Sequence, residues 1–537
     1  MTATTPLSAD CLAVANDAPQ VTLAHLLQPT HPQLVLHTPT SLSAQKAETA
    51  IQHVTSDSRT ACHTSVFVAL VGSHTDGHDY LPQAIAQGTP VVVIQANRLA
   101  KVLPLIEKQP HPPVVVVADN TYQALAVLAA RLYGQPAQAL RLVGVTGTNG
   151  KTTVTHLVEQ MLLDAGERTG LIGTLGARVQ SDATAQTPAY AQTGHTTPMA
   201  TDMQALLAQF KAHGTKTVVM EVSSHALEQH RVYGCPFAVA VHTNLTQDHL
   251  DYHKTMAAYF EAKALLFSGL APGSTAVINA DDTWADKFIA KVPAGVPILR
   301  YGINHPQCEV RATDLAFDIE GARFTLVTPK GTRPLQIHIA GRFGVYNALA
   351  AAAAGLAVGL SLEQIATALE RVRGVRGRFE VVAQAPYVIV DYAHTPDGLD
   401  NVLAAARLVT PKKAKLFVVF GCGGDRDATK RPKMGRIAEE LADVLVVTSD
   451  NPRSEDPQQI ITDILGGIQS FDNARMFVMP DREQAIHHAM DLAGPEDIIV
   501  VAGKGHEDYQ ILADRTIDFD DKAVVQAYAA SKPKLSV

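Results

Sequence analysis

Leu140-Arg-Leu-Val-Gly-Val145 runs into Thr146-Gly-Thr-Asn-Gly-Lys-Thr-Thr153 and then into Val154-Thr-His-Leu-Val-Glu-Gln-Met-Leu-Leu163. The three pieces read as strand, glycine-rich loop and helix, the order of a phosphate-binding P-loop. Gly147 and Gly150 let backbone N–H groups close around phosphate oxygens at a helix N-terminus, Lys151 supplies a point charge, and the Thr152 hydroxyl is placed for Mg²⁺. Thr148, Asn149 and Thr153 complete the candidate ATP contacts in this loop. Val145 stands where the general P-loop pattern has its first glycine, so the loop is a variant. No guanine-specifying motif is visible, which makes ATP the expected nucleotide.

Outward from the loop, short β-branched runs alternate with Ala/Leu-rich helical stretches. Val91–Ile94, Val114–Val117, Thr217–Val222, Ala238–Val241, Val388–Val390, Leu416–Phe420, Val444–Val447 and Ile498–Val501 are strand candidates. That alternation predicts an α/β fold with largely parallel sheets, whose ligands sit beyond the carboxyl ends of the strands. Glu221 is at such an end and is well placed for Mg²⁺, a cation that takes oxygen ligands and bridges phosphates. The next strand leads into Asn244-Leu-Thr-Gln-Asp-His-Leu-Asp-Tyr-His253. His249 and His253 are spaced as zinc ligands on one helix face, but no HExxH pattern and no third ligand accompany them. His249 is therefore assigned to a second Mg²⁺ and His253 to the framework. Ala348–Leu360 is too short to span a membrane and reads as a packed helix. Gln180–Pro198 is expected to be a long surface loop.

The chain has 537 residues, a prior of three to four domains at roughly 150 residues each. Boundaries near residues 118 and 375 give domains at 1–118, 119–375 and 376–537, the second boundary at the basic, glycine-punctuated stretch Arg373–Arg378. A net charge of −8 with no basic run argues against nucleic acid or a polybasic membrane patch. Five scattered cysteines without a CxxC pair indicate neither a disulfide framework nor a thiolate metal site. The first twenty residues lack the plan of a secretory signal, so a cytoplasmic location is expected, without membrane insertion.

Thr146–Thr153, Glu221-Val-Ser-Ser-His225, Asp248-His-Leu-Asp251 and Tyr259-Phe-Glu-Ala-Lys263 together resemble the Mur ligase family, ATP-dependent amide-bond-forming enzymes of bacterial cell-wall synthesis. Gly341-Arg-Phe-Gly-Val-Tyr-Asn347, Gly377-Arg-Phe-Glu380 and Asp391-Tyr-Ala-His-Thr-Pro396 extend the resemblance over nearly the whole chain from about Ser56. It implies a UDP-sugar-binding N-terminal domain, a central P-loop ATPase domain and a Rossmann-like C-terminal domain for the incoming amino acid; a monomer is expected. It also implies a carbamylated lysine at Lys263, which turns a cation into an anionic oxygen ligand for Mg²⁺. Asn347 and Asp391 match adenine and ribose contacts. Arg378, at the end of the glycine-punctuated stretch Arg373–Arg378, is expected to reach the γ-phosphate when the last domain closes.

Ser449-Asp-Asn-Pro-Arg-Ser-Glu-Asp-Pro457 resembles family members that add meso-diaminopimelate to UDP-N-acetylmuramoyl-L-alanyl-D-glutamate, whereas lysine-adding members lack the arginine. A planar guanidinium at Arg453 suits the distal carboxylate of that diamino acid. Arg426, Asp450, Asn451, Pro452, Gly503 and Glu507 match further amino-acid contacts, with Glu507 as the anion for an ammonium group. Ser58, Ser73, His74 and Thr75 match UDP-sugar contacts, although the family often has His-Gln-Ala at the latter three. His195, Thr196, Thr197, Ser223, Gln229 and Arg231 match residues that hold the muramoyl peptide. The resemblance implies that the substrate carboxylate is phosphorylated by ATP and that the acyl phosphate is then attacked by the amine. The alternatives are a lysine-adding or folylpolyglutamate-forming ligase, a silent ATP-binding regulator on the same scaffold, and a P-loop motor or switch.

Overall fold

The computed structural model describes residues 20–28, 44–72, 75–180, 191–470, 472 and 474–531. Ser73, His74 and most of the expected surface loop lie outside the described residues. Two compact units are present, the first taking the chain up to Gly144 with Gly166–Ala240 and Ser268–Ser274, the second taking Val145–Ala165, Val241–Phe267 and everything from Thr275.

In the first unit, His53–Thr55, Ser65–Val68, Val91–Gln95 and Val114–Ala118 form a four-stranded parallel sheet in that order. Alternate side chains point to opposite faces of a strand. Val66, Val68, Val91, Val93, Val114 and Val116 accordingly pack with Leu125, Leu128 and Leu132 of the helix Thr121–Leu132. Phe67, Val92, Ile94, Val115 and Val117 pack with Leu81, Val102 and Ile106 on the other face. Covering both faces is what makes these strands read as unbroken apolar runs. The helix Thr121–Leu132 starts where the Asn120 side chain accepts from the Tyr122 and Gln123 amides.

The same unit pairs Thr217–Glu221 parallel to Thr169–Gly173, which in turn pairs antiparallel with Gly176–Gln180. This corrects one expectation: Gln180 is the buried last residue of a strand, and Thr197, near the far end of the expected surface loop, is fully buried. The register Thr169↔Gln180 supplies the pairing that Gln180's own polar sequence does not signal.

In the second unit the strands Thr275–Asn279 and Ile298–Gly302 are parallel, and Val310–Asp318, Gly321–Thr328 and Gly331–Ile337 follow as an antiparallel meander. The helix Gly341–Ala357 is the expected packed Ala/Gly helix; Gly355 lies against Met161 of the P-loop helix Lys151–Asp164. A six-stranded sheet completes the unit, in the order Glu380–Ala383, Tyr387–Asp391, Ile498–Ala502, Leu416–Phe420, Val444–Val447, Met476–Val478. Its first strand is antiparallel and the other five are parallel. All carboxyl ends of the parallel strands therefore lie on one edge, where residues 391–397, 421–427, 448–453 and 503–507 emerge. Among the described residues no helix is long and apolar enough to cross a membrane.

Candidate active site

The P-loop of the second unit depends on two glycines with positive φ. At Gly147 (φ +154°) a Cβ would run into Thr243 Oγ1, and at Gly150 (φ +86°) into Asn347 Oδ1. Buried Asn347 is thereby brought to the loop from the helix Gly341–Ala357. The Thr148 and Asn149 amides are already committed, to Asn244 O and Asn244 Oδ1, both at 2.9 Å. Thr243 Oγ1 donates to Asn149 O at 2.6 Å. The loop is thus braced from the strand end at residues 243–244, and the helix beginning at Lys151 turns its N-terminal dipole toward the anion position.

Two lysines converge on this loop. Lys151 Nζ donates to Gly147 O and Thr148 O, both at 2.9 Å, and Lys263 Nζ donates to the same Gly147 O at 2.8 Å. Burial, reinforced by repulsion from Lys151, pushes the Lys263 amine well below the ordinary lysine range, toward its neutral form. His249 adopts a left-handed conformation (φ +54°), with Nε2 at 3.3 Å from Asp248 Oδ2. Burial raises the Asp248 carboxyl, but His249, His394 and Lys430 outweigh it and hold it below the usual range. Among the described residues no three His, Cys, Asp or Glu side chains converge as a ready-made metal cluster.

Arg378 reaches the P-loop: its Nη2 donates to Thr152 Oγ1 at 3.0 Å, while the guanidinium lies 4.4 Å from the Tyr392 ring centre. Asp391 fixes the turn that delivers it. Its two oxygens accept from the Phe379 amide (2.6 Å) and the Ala393 amide (2.7 Å). A second tie runs from Asn149 Nδ2 to Asp397 Oδ2 at 2.6 Å, on the helix Pro396–Val409. Sequence reasoning missed Thr243 and Asp397 and gave no role to Asn244, the first residue of a quoted motif; Asp397 was signalled only by its place beside Asp391–Pro396.

At the strand ends of the six-stranded sheet, Arg453 (φ +52°) donates from Nη1 to Gly424 O at 2.8 Å, and exposed Arg426 donates to Asp425 O at 2.9 Å. Both side chains flank Gly423. Asp450, Asn451 and Pro452 are buried; Gly503 (φ +117°) lies against the Asp450 carboxylate. Asn451 Nδ2 donates to Glu507 Oε2 at 2.8 Å. Burial and then Asp450 raise the Glu507 carboxyl above its usual range, against Lys504 and Asn451.

Within the first unit, six expected residues and Glu221 lie around one short segment. Thr197 Oγ1 donates to Glu221 O (2.8 Å) and accepts from the Ser223 amide (3.1 Å), while Arg231 Nη1 donates to Thr197 O (2.8 Å). Arg231 also holds Gln229 Oε1 from Nε and Nη2, at 3.1 and 2.7 Å. Thr174, another residue the sequence did not single out, donates from its amide and hydroxyl to the two Glu221 oxygens at 2.9 and 3.1 Å, and its hydroxyl is 3.3 Å from that of Thr196. Burial and then Arg231 lower the His195 imidazole. Ser58 bonds Gln83 instead (2.9 Å), and exposed Thr75 accepts the Gly72 amide through its carbonyl.

Comparison with known proteins places this architecture. The family model described as Mur ligase family, catalytic domain, matches residues 50–133; Mur ligase middle domain matches 145–355; Mur ligase, glutamate ligase domain, matches 377–505. The chain is 45% identical over 494 residues to UDP-N-acetylmuramoyl-L-alanyl-D-glutamate–2,6-diaminopimelate ligase of Trichormus variabilis, covering 91% of this chain and 96% of that protein. It is 45% identical over 482 residues to the ligase of the same name from Bacillus velezensis, covering 88% and 93%. A solved structure of a ligase of that name matches with 33% identity and a TM-score of 0.64, over 95% of this chain and 99% of the other. Folylpolyglutamate synthase of Mycobacterium tuberculosis, complexed with ADP, shares the fold at 20% identity and a TM-score of 0.60, over 81% and 97%. On these three domain matches and this identity over most of its length, the chain belongs to the Mur ligase family.

Proposed function

We propose that this chain is an ATP-dependent ligase that joins meso-diaminopimelate to the D-glutamyl γ-carboxylate of UDP-N-acetylmuramoyl-L-alanyl-D-glutamate, releasing ADP and phosphate in cytoplasmic synthesis of peptidoglycan precursors. The observation that carries the reading is the charge pattern at the strand ends of the six-stranded sheet, where Arg426 and Arg453 flank Gly423 and Glu507 stands beside Asn451. A diamino acid with two carboxylates needs cations and an anion in one place. The relatives named for a 2,6-diaminopimelate substrate support the same choice. Unpaired Cys62, Cys235, Cys308 and Cys422 suit a reducing compartment.

A carboxylate is a poor electrophile because oxide is not a usable leaving group. Attack of a γ-carboxylate oxygen on the γ-phosphorus of ATP expels ADP and leaves an acyl phosphate. The amine then attacks the acyl carbon and loses a proton, and the tetrahedral adduct expels phosphate. Lys151 and the N-terminal amides of its helix would neutralise the phosphoryl oxygens, and Arg378, already on Thr152, would follow the charge that develops there. Asn347 belongs to the nucleotide side; Asp391 acts through the turn it holds. Thr196, Thr197, Ser223, Gln229, Arg231 and His195 would hold the muramoyl peptide, and Ser58 and Thr75 the UDP-sugar.

The donor set fits Mg²⁺ once Lys263 is modified. A buried amine held toward neutrality adds to CO₂, forming an N–C bond, losing a proton and becoming an anionic oxygen donor. Thr152, His249 and carbamylated Lys263 would then hold Mg²⁺, which supplies charge neutralisation at the phosphates. In the first unit the Glu221 carboxylate is oriented by the Thr174 amide and hydroxyl. The test is product mass: the protein with ATP, Mg²⁺, the UDP-linked dipeptide and meso-diaminopimelate is expected to yield one tripeptide for each ADP and phosphate released. Phosphate release without the tripeptide would overturn the proposal.

A further inference from the structure

Lys504 is fully buried, a place an ammonium occupies only when it is well matched. Its Nζ donates to Asn451 Oδ1 at 3.1 Å and to Glu507 Oε2 at 3.3 Å, and lies 5.6 Å from the Tyr509 ring centre. These contacts fix the direction of the Asn451 amide. Oδ1 receives both the Lys504 ammonium and the Ile511 amide (2.9 Å), so Nδ2 must face Glu507 Oε2, at 2.8 Å. The flipped amide would set its NH₂ against an ammonium and a backbone N–H, and its carbonyl against a carboxylate. Two donors thus converge on Oε2, while Glu507 Oε1 has no hydrogen-bond partner among the described residues. Lys504 also opposes, at half-buried Glu507, the repulsion from buried Asp450.

We infer that Lys504 is a positioning residue for amino-acid selection: it orients Asn451 and engages one oxygen of Glu507, so that the other is presented to an ammonium group of the incoming amino acid. The inference rests on the proposed role of Glu507 in diaminopimelate binding. It assigns Lys504 no contact with substrate and no part in phosphoryl transfer.

The experiment is steady-state kinetics of the full chain carrying Lys504→Met, Lys504→Gln, Glu507→Gln, or Lys504→Met with Glu507→Gln. Lys504→Met is expected to raise the KM for diaminopimelate about ten- to a hundredfold, with the KM values for ATP and the UDP-linked dipeptide within about twofold of wild type. Lys504→Gln, which keeps a donor of similar reach, is expected to recover part of the loss. Because Lys504 acts through Glu507, the double variant is expected to be no worse than Glu507→Gln alone. An unchanged diaminopimelate KM, equal rises in all three KM values, or additive losses would overturn the positioning role. If Lys504→Met does not fold, the comparison of Lys504→Gln with Glu507→Gln decides by the same split in KM. Wild-type protein that releases no phosphate in response to diaminopimelate would overturn the functional reading itself, and the inference with it.

Discussion

Replacing Arg378 by alanine separates a catalytic cation from a merely structural one. The guanidinium makes one 3.0 Å hydrogen bond to Thr152 Oγ1 and covers the Tyr392 ring at 4.4 Å, and its turn is held by the backbone hydrogen bonds to Asp391, whose carboxyl burial raises and Arg378 lowers. A charged hydrogen bond contributes about 1.5–3 kcal/mol and an exposed-to-buried cation–π contact about 0.5–2 kcal/mol, so some loss of stability is expected. The larger effect is kinetic. A preorganised donor aimed at charge that develops in the transition state is worth about 2.7–4 kcal/mol, or about 10²- to 10³-fold in kcat. Arg378→Lys keeps the charge but not the planar fork, and is expected to fall between wild type and alanine. The assay is phosphate release at saturating substrates, with thermal unfolding to verify the fold. A folded Arg378→Ala protein with wild-type kcat would refute the reasoning, and a rise in the ATP KM at constant kcat would show that Arg378 only binds nucleotide.

Further outcomes follow from the same geometry. Lys263 is expected to give a carbamate resonance with isotope-labelled bicarbonate, and Lys263→Met to lose that signal together with Mg²⁺-dependent turnover; an active Lys263→Met protein would contradict its role. Arg453→Lys removes a planar carboxylate partner and is expected to lower kcat/KM for meso-diaminopimelate about ten- to a hundredfold, measured against L-lysine as control. Gly147→Ala drives a Cβ into Thr243 Oγ1 and is expected to remove ATP-dependent phosphate release, whereas an active protein would show that the loop adapts. His242 is fully buried against Phe288, and chiefly that burial pushes it from 6.5 down to about 3. Below pH 6.5 the unfolded chain takes up a proton that the folded chain refuses, so this group's penalty is absent above 6.5 and grows as pH falls toward about 3. Relative to His242→Phe, the wild type should therefore lose up to about 1.4 kcal/mol of stability per pH unit in that window; parallel pH profiles would refute this.

The buried strands were legible because sheets covered on both faces leave nearly continuous apolar runs, as in Val91–Gln95 and Ile498–Ala502. The meander Val310–Ile337 was not among the strand candidates. Its outer positions are half-exposed, and a register shift between Thr313 and Ala316, with Asp314 at φ +57°, breaks the period of two. The P-loop was legible because its glycines and Lys151 do local work. Its bracing by Thr243 and Asn244 was not, since those contacts join residues about a hundred positions apart. Lys263 shows the limit most clearly: on a helix of unremarkable pattern a lysine reads as solvated, and only burial beside Lys151 reveals an amine held toward neutrality. Lys504 likewise reads as one polar residue in a glycine-rich turn until its hydrogen bonds to Asn451 and Glu507 are seen.

The most direct test of the account is phosphate release from ATP in the presence of Mg²⁺ and UDP-N-acetylmuramoyl-L-alanyl-D-glutamate, with meso-diaminopimelate and L-lysine compared as acceptors. The account predicts turnover with meso-diaminopimelate and little or none with lysine. Preference for lysine would contradict the role given to Arg453 while leaving a ligase, and turnover with neither acceptor would contradict the proposed reaction.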